Sequence, residues 1–448
     1  MNMMRRPTAM QVSPLALLTL AACGGSGGGG SGGAPVSSGT PNVSVGGNVV
    51  KGPLSNALVF LDYDNDGVLD AGEPSARTGA DGSYTLSTSN TNYSIVAITD
   101  GSTIDASSGA VLEGVTLKAP SGATVVTPAT TLMKEGNLTA AQVAKVLGLA
   151  DNIDPTTFNP YAAGVNAADA LAVEKASQQI MSAITAFAGA VEGAGASEAE
   201  AFSAALKSVA SVVQTKAAAN ATLDLTSASD IALIKTAVTS EVSTNSSLSA
   251  VNTTALNALV TDTSSAIKNV NDKIAAITDT DLTSTASKNI FSTVQVLKDE
   301  VEAAAAAEVA TPGSGNITFK NSSAVDTAAT NNAPTALSIS TSAISEATES
   351  LVVGTVTTTD SDQPGGAAFV YSIAQVSGTD YSKFSINSST GVLSLTEQPD
   401  YETKTSYSVV VKSVDAGGKA ISKTFTVAVT DVNEAPVLTV PTGGSVTE

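Results

Sequence analysis

Apolar residues follow three successive spacings along the chain. From about 43 to 132 they come in short runs broken by Gly, Asp and Ser, such as Ala57-Leu58-Val59-Phe60-Leu61 and Tyr93 to Ile98. Runs of this length, bounded by turn residues, read as buried strands. Asp81-Gly82 before Ser83-Tyr84-Thr85-Leu86 reads as a tight hairpin turn. From about 133 the spacing becomes helical: Ile180, Ile184, Phe187 and Val191 step by 4, 3 and 4, as do Phe202, Leu206, Val209 and Val213, while Ile267, Val270, Ile274 and Ile277 step by 3, 4 and 3. Such stripes predict helices near 139–148, 165–193, 198–219, 229–246, 253–278 and 290–309. Thr139 with Gln142 and Ser197 with Glu200 supply capping boxes. The faces opposite the stripes carry Ser and Thr rather than Lys or Arg, so the stripes are expected to face one another in a bundle, not a membrane. After a polar linker at 312–332 the period falls to two. Tyr407, Val409 and Val411 alternate with polar residues, as do Phe425, Val427 and Val429, and Leu393 and Leu395 follow a Thr390-Gly391 turn. Strands at this spacing predict an antiparallel sandwich.

The first residues form an address, not a fold. Arg5 and Arg6 precede a short apolar stretch from Pro14 to Ala22, well below the ~20 residues of a membrane-spanning helix. It ends in Leu20-Ala21-Ala22-Cys23, which resembles a bacterial lipobox, with Cys23 as the lipidated first residue of the mature chain. Gly24 follows rather than Asp, so an outer-membrane or cell-surface location is expected. The Gly/Ser-rich tether that follows, to about residue 42, spans roughly 25 Å as a flexible coil.

Composition narrows the chemistry. Of 448 residues, 21 are Lys or Arg and 41 are Asp or Glu, a formal charge of −20, with no His, no Trp and one Cys. Histidine-dependent nucleophilic catalysis, His or Cys zinc sites and an internal disulfide are excluded. An acidic chain repels phosphate backbones, so no nucleic-acid partner is expected. Carboxylates remain plentiful, and they are ligands for hard cations such as Ca²⁺.

One loop concentrates them. Counting Asp62 as position 1, oxygen ligands fall at Asp62, Asp64 and Asp66, Gly67 stands at 6, the Val68 carbonyl at 7, Asp70 at 9 and Glu73 at 12. This is the twelve-position calcium loop of the EF-hand pattern, set between strands. With Thr78, Asp81, Gly82 and Tyr84 after it, the segment resembles the prealbumin-like, B-type repeats of bacterial surface adhesins. That resemblance implies a calcium-stiffened β-sandwich spacer.

The last hundred residues resemble the cadherin repeat. The motifs are Ala333-Pro334, Glu346, Asp360-Ser361-Asp362, Phe384-Ser385-Ile386 with Thr390-Gly391-Val392-Leu393, Asp400-Tyr401-Glu402, Asp415 with Gly417-Gly418, and Asp431-Val432-Asn433-Glu434-Ala435-Pro436. The resemblance implies calcium at both poles. Glu346, Asp400, Glu402, Asp431, Asn433 and Glu434 would gather at the C-terminal pole, and Asp360, Asp362 and Asp415 at the N-terminal pole. The closing motif is one residue short, and only Asn331 and Asn332 stand where an acidic linker would precede the repeat. Adhesion by exchange of an amino-terminal Trp is excluded. Val437 to Glu448 reads as the first strand of another repeat and implies a longer tandem array.

The expected fold class is multidomain: a β-sandwich module, an all-α helical bundle, and a cadherin-like (immunoglobulin-like) antiparallel β-sandwich. The expected boundaries are a lipoprotein signal at 1–22, the tether at 23–42, the β module at 43–132, helices at 133–310, a linker at 311–332, the cadherin repeat at 333–434 and a further repeat from 435 to 448. The function this implies is a non-enzymatic, calcium-binding, lipid-anchored adhesion protein that joins other cells or surface proteins, copies of itself included. A passive calcium-stiffened stalk is the alternative. A carboxylate-pair glycoside hydrolase is a third, disfavoured by an aromatic content of 4%.

Overall fold

The computed structural model describes residues 42–362 and 369–434. The signal and Cys23, the tether up to residue 41, Ala435-Pro436 of the closing motif and the strand expected at 437–448 lie outside the described residues. Among the described residues no helix is long and apolar enough to cross a membrane.

The first part holds nine short strands: β1 (Val43–Val49), β2 (Leu54–Ser55), β3 (Leu58–Asp62), β4 (Ser75–Arg77), β5 (Ser83–Thr88), β6 (Ser94–Ile98), β7 (Ile104–Asp105), β8 (Thr116–Pro120) and β9 (Val125–Val126). They form a four-stranded sheet in the order β4-β3-β6-β8, a three-stranded sheet β5-β1-β9 and the pair β2-β7. β3 and β6 are almost wholly buried, which explains their continuous apolar runs. β5 alternates exposed and buried, and its inward Tyr84 and Leu86 lie in the same core as Val45 of β1.

The Asp81-Gly82 turn does not close a hairpin. β4 and β5 belong to different sheets, and β5 pairs instead with β1, Val45 opposite Leu86. The turn carries the chain from one sheet to the other. Gly82 has φ +75°, and a Cβ there would stand 2.5 Å from the Val49 carbonyl, so only glycine fits beside β1.

Nine α-helices follow among the described residues: α1 (Pro128–Glu135), α2 (Ala140–Val146), α3 (Ala167–Gly193), α4 (Glu198–Ala218), α5 (Ala228–Thr244), α6 (Thr253–Ala275), α7 (Thr285–Phe291), α8 (Thr293–Ala310) and α9 (Ser322–Ala328). Both predicted capping boxes are present, at Thr139 and Ser197. The three stripes read from the sequence are all buried. α3 is the central helix, and α8 lies close against it because two glycines leave room. A Cβ at Gly189 would come within 2.7 Å of the Lys298 carbonyl, and one at Gly193 within 2.2 Å of the Glu302 carbonyl.

Strands and helices share one core. Val49, Leu61, Ile95 and Leu117 lie in the same apolar cluster as Leu132 of α1, Ile180, Phe187, Val209 and Ile267. α1 runs across residue 132, and Thr131 Oγ1 accepts the Lys118 N–H of β8 at 2.9 Å. The stretch read as a polar linker is partly ordered. α9 forms within it, and Ile317, Phe319 and Val325 are buried in the helical core. Three apolar residues among many polar ones give no periodic signal, although they anchor the segment.

The last part is a two-sheet sandwich built from β10 (Ala336–Ile339), β11 (Ala343–Ser345), β12 (Val352–Thr359), β13 (Val370–Ala374), β14 (Phe384–Ile386), β15 (Val392–Leu395), β16 (Ser406–Val414) and β17 (Ala420–Thr430). The sheet orders are β10-β12-β15-β14 and β11-β17-β16-β13. Among the described residues its pairings are antiparallel except β11–β17, which is parallel. This departs from the wholly antiparallel sandwich expected. Its separate core draws on both sheets, with Leu337, Val356 and Leu393 from one and Val409, Val411 and Val427 from the other. Phe384 and Tyr407 meet edge to face, ring centres 6.1 Å apart.

Candidate metal centres

The Asp62–Glu73 loop joins β3 to β4, which pair antiparallel. A carboxylate oxygen from each of Asp62, Asp64 and Asp66 lies within 4.8 Å of the other two. Asp62 is buried, and its oxygens accept the N–H groups of Asn65 at 2.6 Å and Gly67 at 3.0 Å. Asp64 accepts the Asp66 N–H at 3.2 Å, and Asp66 the Val68 N–H at 2.7 Å. These bonds curl the loop around its own acids, with Asn65 and Gly67 at φ +66° and +83°. Asp70 and Glu73 lie outside the triad. Glu73 spans the base of the loop, one oxygen on the Tyr63 N–H at 2.7 Å and the other on the Asp70 N–H at 2.9 Å.

The electrostatics are those of crowded like charges. Burial, together with Glu73 and Asp64, pushes the Asp62 carboxyl up against the pull of its two N–H donors. Asp66, followed by weak desolvation and Asp64, pushes Asp70 up. A divalent cation reverses both effects. Two lysines that the loop's spacing gave no hint of approach it from distant elements. Lys118 Nζ lies 3.5 Å from where a Gly67 Cβ would sit, and Lys134 Nζ donates to Asn65 Oδ1 at 3.3 Å. Gly67→Ala is expected to cost ~1–2 kcal/mol, because the left-handed backbone crowds a Cβ, and to weaken cation affinity. Denaturant unfolding with and without calcium checks both.

At the C-terminal end of the sandwich, Glu346, Asp400 and Glu402 place carboxylate oxygens within 4.8 Å of one another. Glu346, just beyond β11, is buried. Its oxygens accept the N–H groups of Tyr401 at 2.6 Å and Val432 at 2.5 Å. One side chain thus ties the Asp400–Glu402 turn to the segment leaving β17. Asp400 accepts the Thr403 N–H at 3.1 Å and the Thr403 hydroxyl at 2.8 Å, which hold its carboxyl below the usual range. Asp431, Asn433 and Glu434 follow β17 on that segment, are exposed and lie outside the triad.

The N-terminal end is arranged differently. Asp360 and Asp362 follow β12, and Asp415 follows β16. Asp362 accepts the backbone and side-chain N–H groups of Asn332, at 2.8 and 2.7 Å. Asp415 accepts Asn331 Nδ2 at 2.9 Å and the N–H groups of Gly417 and Lys419, both at 2.8 Å. Three buried oxygens here have no partner among the described residues: Asp360 Oδ2, Asp362 Oδ1 and Asn331 Oδ1. Burial pushes the Asp360 carboxyl up, and neighbouring Asp362 and Asp415 add to the rise. Sequence reasoning missed Lys419. Its ammonium is buried and donates to the carbonyls of Asn331 and Asn289, the latter at 3.3 Å, which docks the sandwich against α7. Burial pulls it down to about 8, although Asp415, Asp362 and Asp360 oppose this.

The cadherin domain model matches residues 340–430, which hold β11 to β17 and the acids Glu346, Asp360, Asp362, Asp400, Glu402 and Asp415. A cadherin domain is recognised at residues 340–430. Cadherin-99C of Drosophila melanogaster is 35% identical over 91 residues, which cover 20% of this chain and 5% of that protein. Human protocadherin Fat 1 is 37% identical over 92 residues, covering 19% and 2%. Among solved structures, protocadherin gamma B2 extracellular cadherin domains 1–5 share 26% identity and a TM-score of 0.20, covering 23% of this chain and 20% of that one. The chain thus spans only a small part of the curated relatives it matches.

Proposed function

We propose that this is an exported, lipid-anchored cell-surface adhesion protein whose cadherin domain and Asp62–Glu73 loop are held rigid by calcium. The observation that carries the proposal is the Glu346, Asp400 and Glu402 triad, where three carboxylates converge at the point where the chain leaves the cadherin domain. Carboxylates this close repel one another, and Ca²⁺ converts the repulsion into coordination. In this reading Asp431, Asn433 and Glu434 complete the shell when the closing segment folds inward. Asp62, Asp64, Asp66, the Val68 carbonyl, Asp70 and Glu73 form the second centre. Asp360, Asp362 and Asp415 form the third, supported by the unpartnered oxygens of Asp360, Asp362 and Asn331. Cys23 carries the acyl chains, and the cadherin domain meets other cells or surface proteins, a second copy of the chain included.

Beads coated with the chain are expected to clump in millimolar calcium and disperse in EDTA. Solution scattering should show a stiffer particle with calcium. Beads that bind calcium and stay dispersed would leave only a calcium-stiffened spacer.

A further inference from the structure

The cadherin domain meets the helical body at its N-terminal pole through a buried ammonium. Lys419 lies in the turn between β16 and β17 and is 2% exposed. Asp415 shapes that turn, its carboxylate accepting the Gly417 and Lys419 N–H groups, both at 2.8 Å. Gly417 lets the preceding linker lie directly on the turn, since a Cβ there would stand 2.4 Å from Asn331 Nδ2. The Lys419 ammonium donates to the Asn331 carbonyl, and it lies 3.3 Å from both the carbonyl and Oδ1 of Asn289 on α7. Asn289 Nδ2 donates to Asn332 Oδ1 at 3.0 Å, and Asn332 in turn donates to Asp362. One lysine thus joins the sandwich, the linker and α7.

Two features mark this ammonium as more than a packing contact. Its acceptors among the described residues are neutral oxygens, two carbonyls and a carboxamide, a donor type that also encloses hard cations. The carboxylates of Asp415, Asp362 and Asp360 favour its charge from further off. A desolvated ammonium is costly unless such charges and bonds compensate it. The two ends of the domain also differ. Among the described residues the donors to Glu346 and Asp400 are backbone N–H groups and the Thr403 hydroxyl, with no ammonium. At the N-terminal pole, Asn331 and Asn332 bring no acid, and a lysine is present.

We propose that the Lys419 ammonium is a tethered cation at this pole, which holds the cadherin domain to α7 without an added metal ion. The proposal rests on the reading of Asp360, Asp362 and Asp415 as a cation centre. Three acids here face one lysine. Asp360 Oδ2, Asp362 Oδ1 and Asn331 Oδ1 stay buried and unpartnered among the described residues, so the pole keeps oxygens for Ca²⁺ as well. The rigidity of the joint nevertheless comes with the chain. EDTA is expected to loosen the C-terminal pole while the joint to α7 stays closed. Without the lysine the joint comes to depend on the ion, because three carboxylates are left beside one another with no resident positive charge.

Hydrogen exchange of the EDTA-stripped full chain, with and without millimolar calcium, tests this. In the wild type, peptides covering α7 and Asn331–Asn332 should keep the same protection in both conditions. In Lys419→Met they should exchange roughly tenfold faster in EDTA, the scale of losing charge-assisted bonds, and recover in calcium. Protection of β16 and β17 in the same run shows that the sandwich is folded. Asn289→Ala, which leaves the β16–β17 turn intact, should loosen the same peptides in EDTA. Wild-type protection that falls in EDTA overturns the proposal, and so does full protection in EDTA in both variants. A Lys419→Met joint that loosens in EDTA and does not recover in calcium leaves the role of the lysine standing and refutes Asp360, Asp362 and Asp415 as a cation centre.

Discussion

Glu346→Ala is expected to destabilise the cadherin domain by ~2–4 kcal/mol and abolish its response to calcium. The side chain is buried and charged, and it accepts two backbone N–H groups at 2.5 and 2.6 Å. Truncation leaves the Tyr401 and Val432 donors without their partner, and hydrogen bonds to charged acceptors are the strong ones. Glu402 belongs to the same triad but is exposed, so Glu402→Gln should lower calcium affinity while leaving stability in EDTA unchanged. Urea unfolding of the two variants, in calcium and in EDTA, separates the roles. Equal losses in EDTA would contradict the division of labour drawn here.

Phe187→Ala should cost ~3–5 kcal/mol, the range for deleting a buried aromatic ring. Phe187 is 0% exposed, near the C-terminal half of α3, in the cluster that also holds Val59, Leu61 and Ile95 of the strands. Because that core is continuous, the loss should not stay in the helices. Hydrogen exchange should accelerate in β3 and β6 together with α3 and α8. Strands that kept their protection while the helices lost theirs would show two cores where the structure shows one.

The helices were legible because their stripes are long: Ile180 to Val191 and Ile267 to Ile277 are buried as their spacing requires. The cadherin domain was legible because its motifs sit at turns and strand ends, where residue type is set by local geometry. α1 was missed because strand-rich sequence leads straight into it. Its start is marked only by Thr127-Pro128, and the reciprocal bond comes from Thr130 rather than Glu or Gln. The Asp81-Gly82 dipeptide reports a bend, not which strand pairs next, so it suggests a hairpin where β5 in fact pairs with β1. In the candidate centres, spacing pointed to Asp62, Asp64 and Asp66, and the cadherin resemblance to Glu346, Asp400 and Glu402; the structure brings each of these two triads together. Neither signal showed that Glu73 holds two backbone amides, or that Lys118 and Lys419 lie close by. The lysine contacts join residues far apart in the chain, where no period carries a signal, and the Glu73 bonds are made to main-chain amides, which every non-proline residue offers.

Calcium titration calorimetry on the EDTA-stripped full chain bears most directly on the central claim, that the converging carboxylates hold Ca²⁺. Saturable binding is expected. One class of sites should vanish in an Asp64→Asn, Asp66→Asn double variant, and another should weaken in Glu402→Gln. No saturable heat at millimolar calcium, or full binding retained when both sets of acids are replaced, would contradict it.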